Sequence, residues 1–97
     1  MNQKKITRRL FRQDCFERDN YRCLVCGFQS SPEKASDELD AHHITDRNEM
    51  PNGGYVAENG ISLCKLCHEY VEQNPSPDEL YVRIGSSYEK ALKASNN

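Results

Sequence analysis

Four of the five cysteines fall in two matching pairs, Cys23-Leu24-Val25-Cys26 and Cys64-Lys65-Leu66-Cys67, and these pairs limit the fold more than any other feature of the sequence. A CxxC turn places two thiolates on one edge of a tetrahedron, and a second turn supplies the opposite edge, at about 2.3 Å from a zinc ion. Residues 27–63 separate the pairs, more than the roughly 15–20 of a simple zinc ribbon, so the pairs bracket an inserted substructure. Two other readings exist for such cysteines, a redox pair or plain packing in the core. A redox pair occurring twice in so short a chain, without a thioredoxin-like pattern, is the weaker reading. Cys15, left over, lies on the apolar stripe of a helix and suits a small buried hydrophobe.

The need for a metal follows from size. The chain has 97 residues, 36% of them apolar, with no Trp and a mean hydropathy of −0.89. That suits one domain over residues 1–97, with a core thin enough to require an extra tie. An odd number of cysteines, tidily paired, argues against a secreted disulfide framework. No apolar run approaches the roughly 20 residues needed to span a bilayer. The stretch Met1–Arg12 is basic but lacks the apolar segment of a secretion signal. A cytoplasmic protein with no membrane attachment is expected.

The net charge is −2, unevenly spread. Residues 1–22 hold seven basic groups (Lys4, Lys5, Arg8, Arg9, Arg12, Arg18, Arg22) against three acidic ones (Asp14, Glu17, Asp19), so the remainder is strongly acidic. A basic arm on an acidic body can meet phosphates from one side, and it can equally be the solvated face of a terminal helix.

Periodicity predicts a basic helix over 3–19, with Ile6, Leu10, Phe11, Cys15 and Phe16 forming its apolar stripe. Arg8, Arg12 and Arg18 are spaced so that at least two can face one phosphate path. Ser31-Pro32 marks a helix start. Leu39 to Thr45 reads as a strand, Asp46 to Gly54 as a turn, and Tyr55-Val56-Ala57 as the returning strand. A second turn at Glu58-Asn59-Gly60 leads through Ile61-Ser62-Leu63 into the second CxxC, where a helix carries Cys67, His68, Val71 and Glu72. In the tail, 76–95, Ser76-Pro77-Asp78-Glu79 and Ser86-Ser87-Tyr88-Glu89 read as capping boxes for two short helices, with Gly85 as a stop between them.

The three histidines of the chain are not scattered: His42 and His43 lie on the strand inside the insert, and His68 directly follows the last zinc ligand. The four thiolates already fill a tetrahedron, so His68 is free to serve a second ion unless it merely extends the zinc knot or caps its helix. Clustered histidines mark metal and acid–base chemistry.

The ordered set Cys23-x2-Cys26-Gly27, Ala41-His42-His43-Ile44, Gly53-Gly54-x4-Asn59 and Leu63-Cys64-x2-Cys67-His68 resembles the HNH endonuclease motif of the ββα-metal group, over about residues 18–72. The resemblance implies an α+β fold: a small ββα-metal domain with CxxC zinc knuckles, flanked by an N-terminal helix and short C-terminal helices. It implies a hairpin and helix gripping one divalent cation (Mg²⁺, Mn²⁺, Ni²⁺ or Zn²⁺) through His42 and His68, apart from the structural zinc of Cys23, Cys26, Cys64 and Cys67. It gives His43 the place of the general base, and Asn59 that of the Asn that fixes the loop between hairpin and helix. Some relatives carry a further ligand where Glu72 stands; here it is either a third ligand or a solvated carboxylate.

Arg47, Arg22, Arg18 and Arg12 are candidate phosphate contacts, and Tyr55 reads as packing. The substrate implied is nucleic acid, foremost double-stranded DNA, with RNA open. Small relatives accompany phage packaging machinery and restriction systems. The competing reading is a non-catalytic zinc module that binds nucleic acid or protein. One difficulty is geometric: neighbours on a strand point to opposite faces, so His42 and His43 share a site only if the strand twists or ends there.

Overall fold

The computed structural model describes residues 3–74 and 76–96, with side chains from Ile6 onward, so those of Lys4 and Lys5 in the basic arm lie outside the described residues. Sixteen residues without Gly or Pro form helix α1 (Gln3–Arg18). It ends where Asn20 and Tyr21 take positive φ (56° and 59°) and the Tyr21 N–H returns to Phe16 O at 2.8 Å. Its buried face is narrower than the sequence stripe. Phe11, Cys15 and Phe16 are buried, whereas Leu10 is 49% exposed. Phe11 and Cys15, one turn apart, set the contact line, and Leu10 lies about 100° around the helix from Phe11. A Cβ on Gly60 would run into Phe11 and Cys15, so only glycine lets α1 lie this close to the sheet.

Ser31-Pro32 does open a helical turn, its Oγ accepting from Lys34 N at 3.2 Å, and the turn continues as α2 (Ala35–Glu38). Strand β1 (Leu39–His43) pairs antiparallel with β2 (Gly60–Cys64), with His42 opposite Ile61 and His43 opposite Gly60. Two expectations need correction. The first strand ends at His43 rather than Thr45, although Ile44 N still bonds to Asn59 O at 2.8 Å. The returning strand is Gly60–Cys64, not Tyr55-Val56-Ala57. Tyr55 turns its ring onto Phe11 and His43 instead of pairing, and the loop runs through short 3-10 turns at Arg47–Glu49, Pro51–Gly54 and Ala57–Asn59. The segment Ile61-Ser62-Leu63 is buried throughout, because α1 covers one side of β2 and the later helices the other. Each such apolar side chain contributes about 2 kcal/mol.

Helix α3 (Lys65–Gln73) starts at once after β2, with Cys64 as its N-cap. The strand end and the first helical turn thus supply the second cysteine pair. The first pair sits on a tight turn, closed by Gly27 N to Cys23 O (3.0 Å) and tied to the sheet by Leu24 N to Ser62 O (3.1 Å).

The tail forms α4 (Pro77–Arg83) and α5 (Tyr88–Ser95), separated by Gly85 at φ +69°. The capping boxes are only partly realised. Ser87, not Ser86, caps α5 by accepting from Lys90 N (3.2 Å), and Ser76 caps α4 without a side-chain bond. Leu80, Tyr81 and Ala91 join Ile44, Met50, Ile61, Leu63 and Val71 in one core. The result is a small α+β domain of N-terminal helix, hairpin and C-terminal helices. No described helix is long and apolar enough to cross a membrane.

Candidate metal centre

The Sγ atoms of Cys23, Cys26, Cys64 and Cys67 lie within 4.8 Å of one another, with Cys26 and Cys64 at 3.7 Å. Burial opposes ionisation of Cys23, but N–H groups of Cys26, Cys64 and Val25 outweigh it and bring the thiol down to about 7. Cys67 moves the other way, raised by burial and then by crowding against the other three sulfurs. Four thiols that cannot all carry charge together are a donor set that a dication completes, and zinc suits it in chemistry and number.

A second group lies beyond the first. One donor atom each of His42, His68 and Glu72 falls within the same 4.8 Å span. His42 comes from the end of β1, and its ring lies 5.1 Å from that of His68 on α3. Glu72, one helical turn after His68, brings Oε1 to 3.0 Å from His68 Nε2. This joins Glu72 to the histidines instead of leaving it a purely solvated carboxylate.

Behind His68 stands a residue that motif reading missed. Asp40 Oδ2 is 2.9 Å from His68 Nδ1, and its Oδ1 takes a bond from Lys65 Nζ at 2.8 Å. Burial opposes the charge on Asp40, yet Lys65 and His68 hold its carboxyl below the usual range. Strand alternation was the available signal, since Asp40 and His42 are two apart and share a face. A carboxylate accepts only, so Nδ1 donates to Asp40 and Nε2 is the nitrogen turned toward Glu72. His68 Nε2 and Glu72 Oε1, 3.0 Å apart, are near enough to ligate one ion. The donor set of two imidazoles and a carboxylate fits a divalent ion with positions left for substrate and water.

His43 lines the same concavity, about 300 Å³ in volume, together with His42, His68, Glu72, Asp46 and Arg47. The two neighbouring histidines can share it because β1 ends at His43. The His43 ring stacks on Phe11 (4.5 Å) and meets Tyr55 edge-on (4.7 Å). Its Nε2 is buried without a hydrogen-bond partner. Burial, then the charge of Arg47, lowers the pKa of His43; burial, then His68, lowers that of His42 to about 4. Both rings are therefore neutral at physiological pH.

Asn59 is fully buried and staples the loop. Its Oδ1 accepts from Thr45 N (3.0 Å) and Tyr81 Oη (2.6 Å), while Nδ2 donates to Thr45 O (3.0 Å) and Gly54 O (3.3 Å). Gly54 has φ +63°, and a Cβ there would strike Asn59 Nδ2 and Met50. Tyr81 on α4 was not anticipated, because nothing local in the tail marks it as reaching the hairpin loop.

The expected phosphate contacts separate. Arg47 is exposed at the pocket edge, its Nη1 donating to Tyr55 Oη at 3.1 Å. That bond, with a further effect from Arg8, lowers the Tyr55 pKa. Arg12 donates to Ser36 O (3.0 Å) and lies over the Phe16 ring, while Arg22 is exposed beside the first cysteine turn. Arg18 differs from the expectation. Its guanidinium is used inside the protein, on Asp19 (2.7 and 2.8 Å), Gly60 O and Ala57 O, bracing α1 against the start of β2.

Two histidines and a carboxylate placed to hold a metal at the junction of hairpin and helix, with a four-cysteine cluster in the same small domain, agree with the class that sequence comparison identifies. The family model for HNH endonuclease matches residues 23–73, and the chain belongs to that family. No match was found among curated proteins or among solved structures.

Proposed function

We propose that this protein is a metal-dependent endonuclease that hydrolyses phosphodiester bonds in DNA, with His43 as general base. The observation that carries the reading is that His43 lines one concavity with His42, His68 and Glu72, whose donor atoms lie within 4.8 Å of one another. A neutral imidazole there accepts a proton from water, and the hydroxide attacks phosphorus in line with the departing 3′ oxygen. Phe11 and Tyr55 hold the ring of the base in place from two directions, which keeps it aimed at the attacking water. When bound by His42, His68 and Glu72, a divalent ion supplies Lewis-acid stabilisation of the charge on the phosphate and the leaving oxygen. Asp40 fixes the tautomer and angle of His68, and Arg47 at the rim, with Arg12 beyond it, meets phosphate. Asn59 has no part in the proton transfers and holds Thr45, two residues past the base, in position.

The test incubates purified protein with plasmid DNA and with RNA in the presence of Mg²⁺, Mn²⁺, Ni²⁺ or Zn²⁺, with EDTA as control. Metal-dependent cleavage of plasmid is expected. Failure to cut any substrate with any metal removes the enzyme reading and leaves a zinc module that binds without cutting.

A further inference from the structure

Three concavities adjoin one another through shared lining residues. The metal pocket shares Ala41, His43 and Arg47 with a second groove of about 220 Å³, which in turn shares Arg8 and Arg12 with a third of about 390 Å³. Arg8, Arg9, Arg12 and Arg47 line the second and third grooves, and among the described residues no carboxylate lines either one. In a chain with 15 acidic against 13 basic residues, four guanidinium groups along two grooves that no described carboxylate lines are a local exception, with Asp46 near Arg47 only at the metal-pocket end. Low-dielectric walls focus such a field, and an anion entering the groove relieves it.

Two of the arginines are held in advance. Arg12 is pinned by Ser36 O and the face of Phe16, and Arg47 by Tyr55 Oη. A side chain already ordered loses little entropy when it meets its ligand. Arg8 and Arg12 stand one helical turn apart, about 6 Å along the axis and on the same face. The groove is continuous with the pocket in which the scissile phosphate is placed, so what extends into it from that phosphate is sugar-phosphate backbone.

We infer that these grooves hold the backbone of the strand being cut, with Arg8 and Arg12 neutralising phosphates next to the scissile one, irrespective of base sequence. This rests on the nuclease reading above for the position of the scissile phosphate. Guanidinium forks match phosphate oxygens in pairs. The direction of the track, along α1 and away from α3, also separates Arg8 and Arg12 from Arg22, which lines neither groove.

The experiment uses full-length protein carrying His43→Ala, without added catalytic metal, and follows fluorescence anisotropy of two labelled oligonucleotides of unrelated sequence, each single-stranded and duplex. Arg8→Ala and Arg12→Ala should each weaken binding of both sequences equally. Each should lower the slope of log K against log salt by about 1, and the double variant by about 2. Lys93→Ala, on α5, should leave the slope as it was.

Unchanged slopes, a loss confined to one sequence, or no measurable binding by the parent each overturn the inference. Circular dichroism is recorded for every variant, because Arg12 also holds Ser36; should Arg12→Ala unfold, exposed Arg8 decides the question alone. Cleavage by the wild type with groove variants that bind normally refutes the track and spares the nuclease. Arginine-dependent binding by a wild type that never cleaves does the reverse.

Discussion

Asp40 Oδ2 lies 2.9 Å from His68 Nδ1, so a residue near the start of β1 sets which nitrogen of a helix α3 histidine faces Glu72. Strand and helix are joined here by a charge-assisted bond as well as by packing. Removing the carboxylate should leave His68 free to rotate. Asp40→Ala is expected to lower Mn²⁺ affinity at this site by about 10–100-fold. Titration followed by electron paramagnetic resonance reads this without any need for activity. The released Lys65 is 55% exposed and has water as a partner, so the melting temperature should change little. Equal Mn²⁺ affinity in variant and wild type would contradict the positioning role.

The cysteine cluster carries a different expectation. With one thiolate lost, Cys64→Ser leaves three donors in the cluster that joins the first cysteine turn to the start of α3. Zinc binding and folding are coupled in domains this small, so the variant should be unfolded or melt far below the wild type. A strong chelator should do the same to the wild type. Identical melting curves with and without chelator would remove the structural zinc.

For His43→Ala, cleavage should fall by about 10²–10⁴-fold, the usual contribution of a positioned general base. Mn²⁺ binding at the histidine group should persist, because His43 is not among its donors. A variant that cuts as fast as the wild type would place the base elsewhere.

The depressed histidines fix a pH dependence. Burial lowers the His43 pKa, so its basic form survives below the usual 6.5, and the acid limb of the rate profile should have its midpoint below that value. A midpoint above 6.5 is the contrary result. For stability, His42 falls to about 4 in the folded chain. As pH drops through 6.5 the unfolded chain takes a proton that the folded one refuses, so its contribution is complete above 6.5 and lost toward pH 4. Urea unfolding with zinc supplied only in the amount the four cysteines take should show this loss, and His42→Gln should reduce it.

The Asn59–Tyr81 pair predicts graded damage. Tyr81→Phe removes the hydroxyl bonds to Asn59 and Thr45 and should cost about 1 kcal/mol. Asn59→Ala leaves Thr45 N, Thr45 O and Gly54 O without their side-chain partner, while the Tyr81 hydroxyl keeps only Thr45 Oγ1, at about 3 kcal/mol. Chemical denaturation of both variants measures the ratio; equal losses would show that Asn59 is not the centre of the network.

Much of this was legible because the signals are local. A CxxC needs only its own turn to bring two sulfurs together, and α1, β1 and α3 follow from the spacing of apolar residues and from where Gly and Pro fall. The ordered histidines and Asn59 carried the family. The misreadings arose where distant contacts outweigh local pattern. Tyr55-Val56-Ala57 has the composition of a strand, but the Tyr55 ring finds Phe11 and His43 and the segment turns away from the sheet. Arg18 looks like its basic neighbours, yet it lies where α1 meets Gly60, and its guanidinium serves Asp19 and two backbone carbonyls.

The two CxxC pairs, by themselves, determined that the chain closes on a metal and that Cys64, Cys67 and His68 stand on one strand–helix junction. Only the tertiary structure decided that Asp40 backs His68, that Glu72 completes a three-donor group, and that Tyr81 reaches Asn59 from a helix beyond the family match. The reason is physical. Ligands within one turn are placed by backbone geometry, whereas partners 22 and 28 residues apart meet only when packing and register bring their chains together.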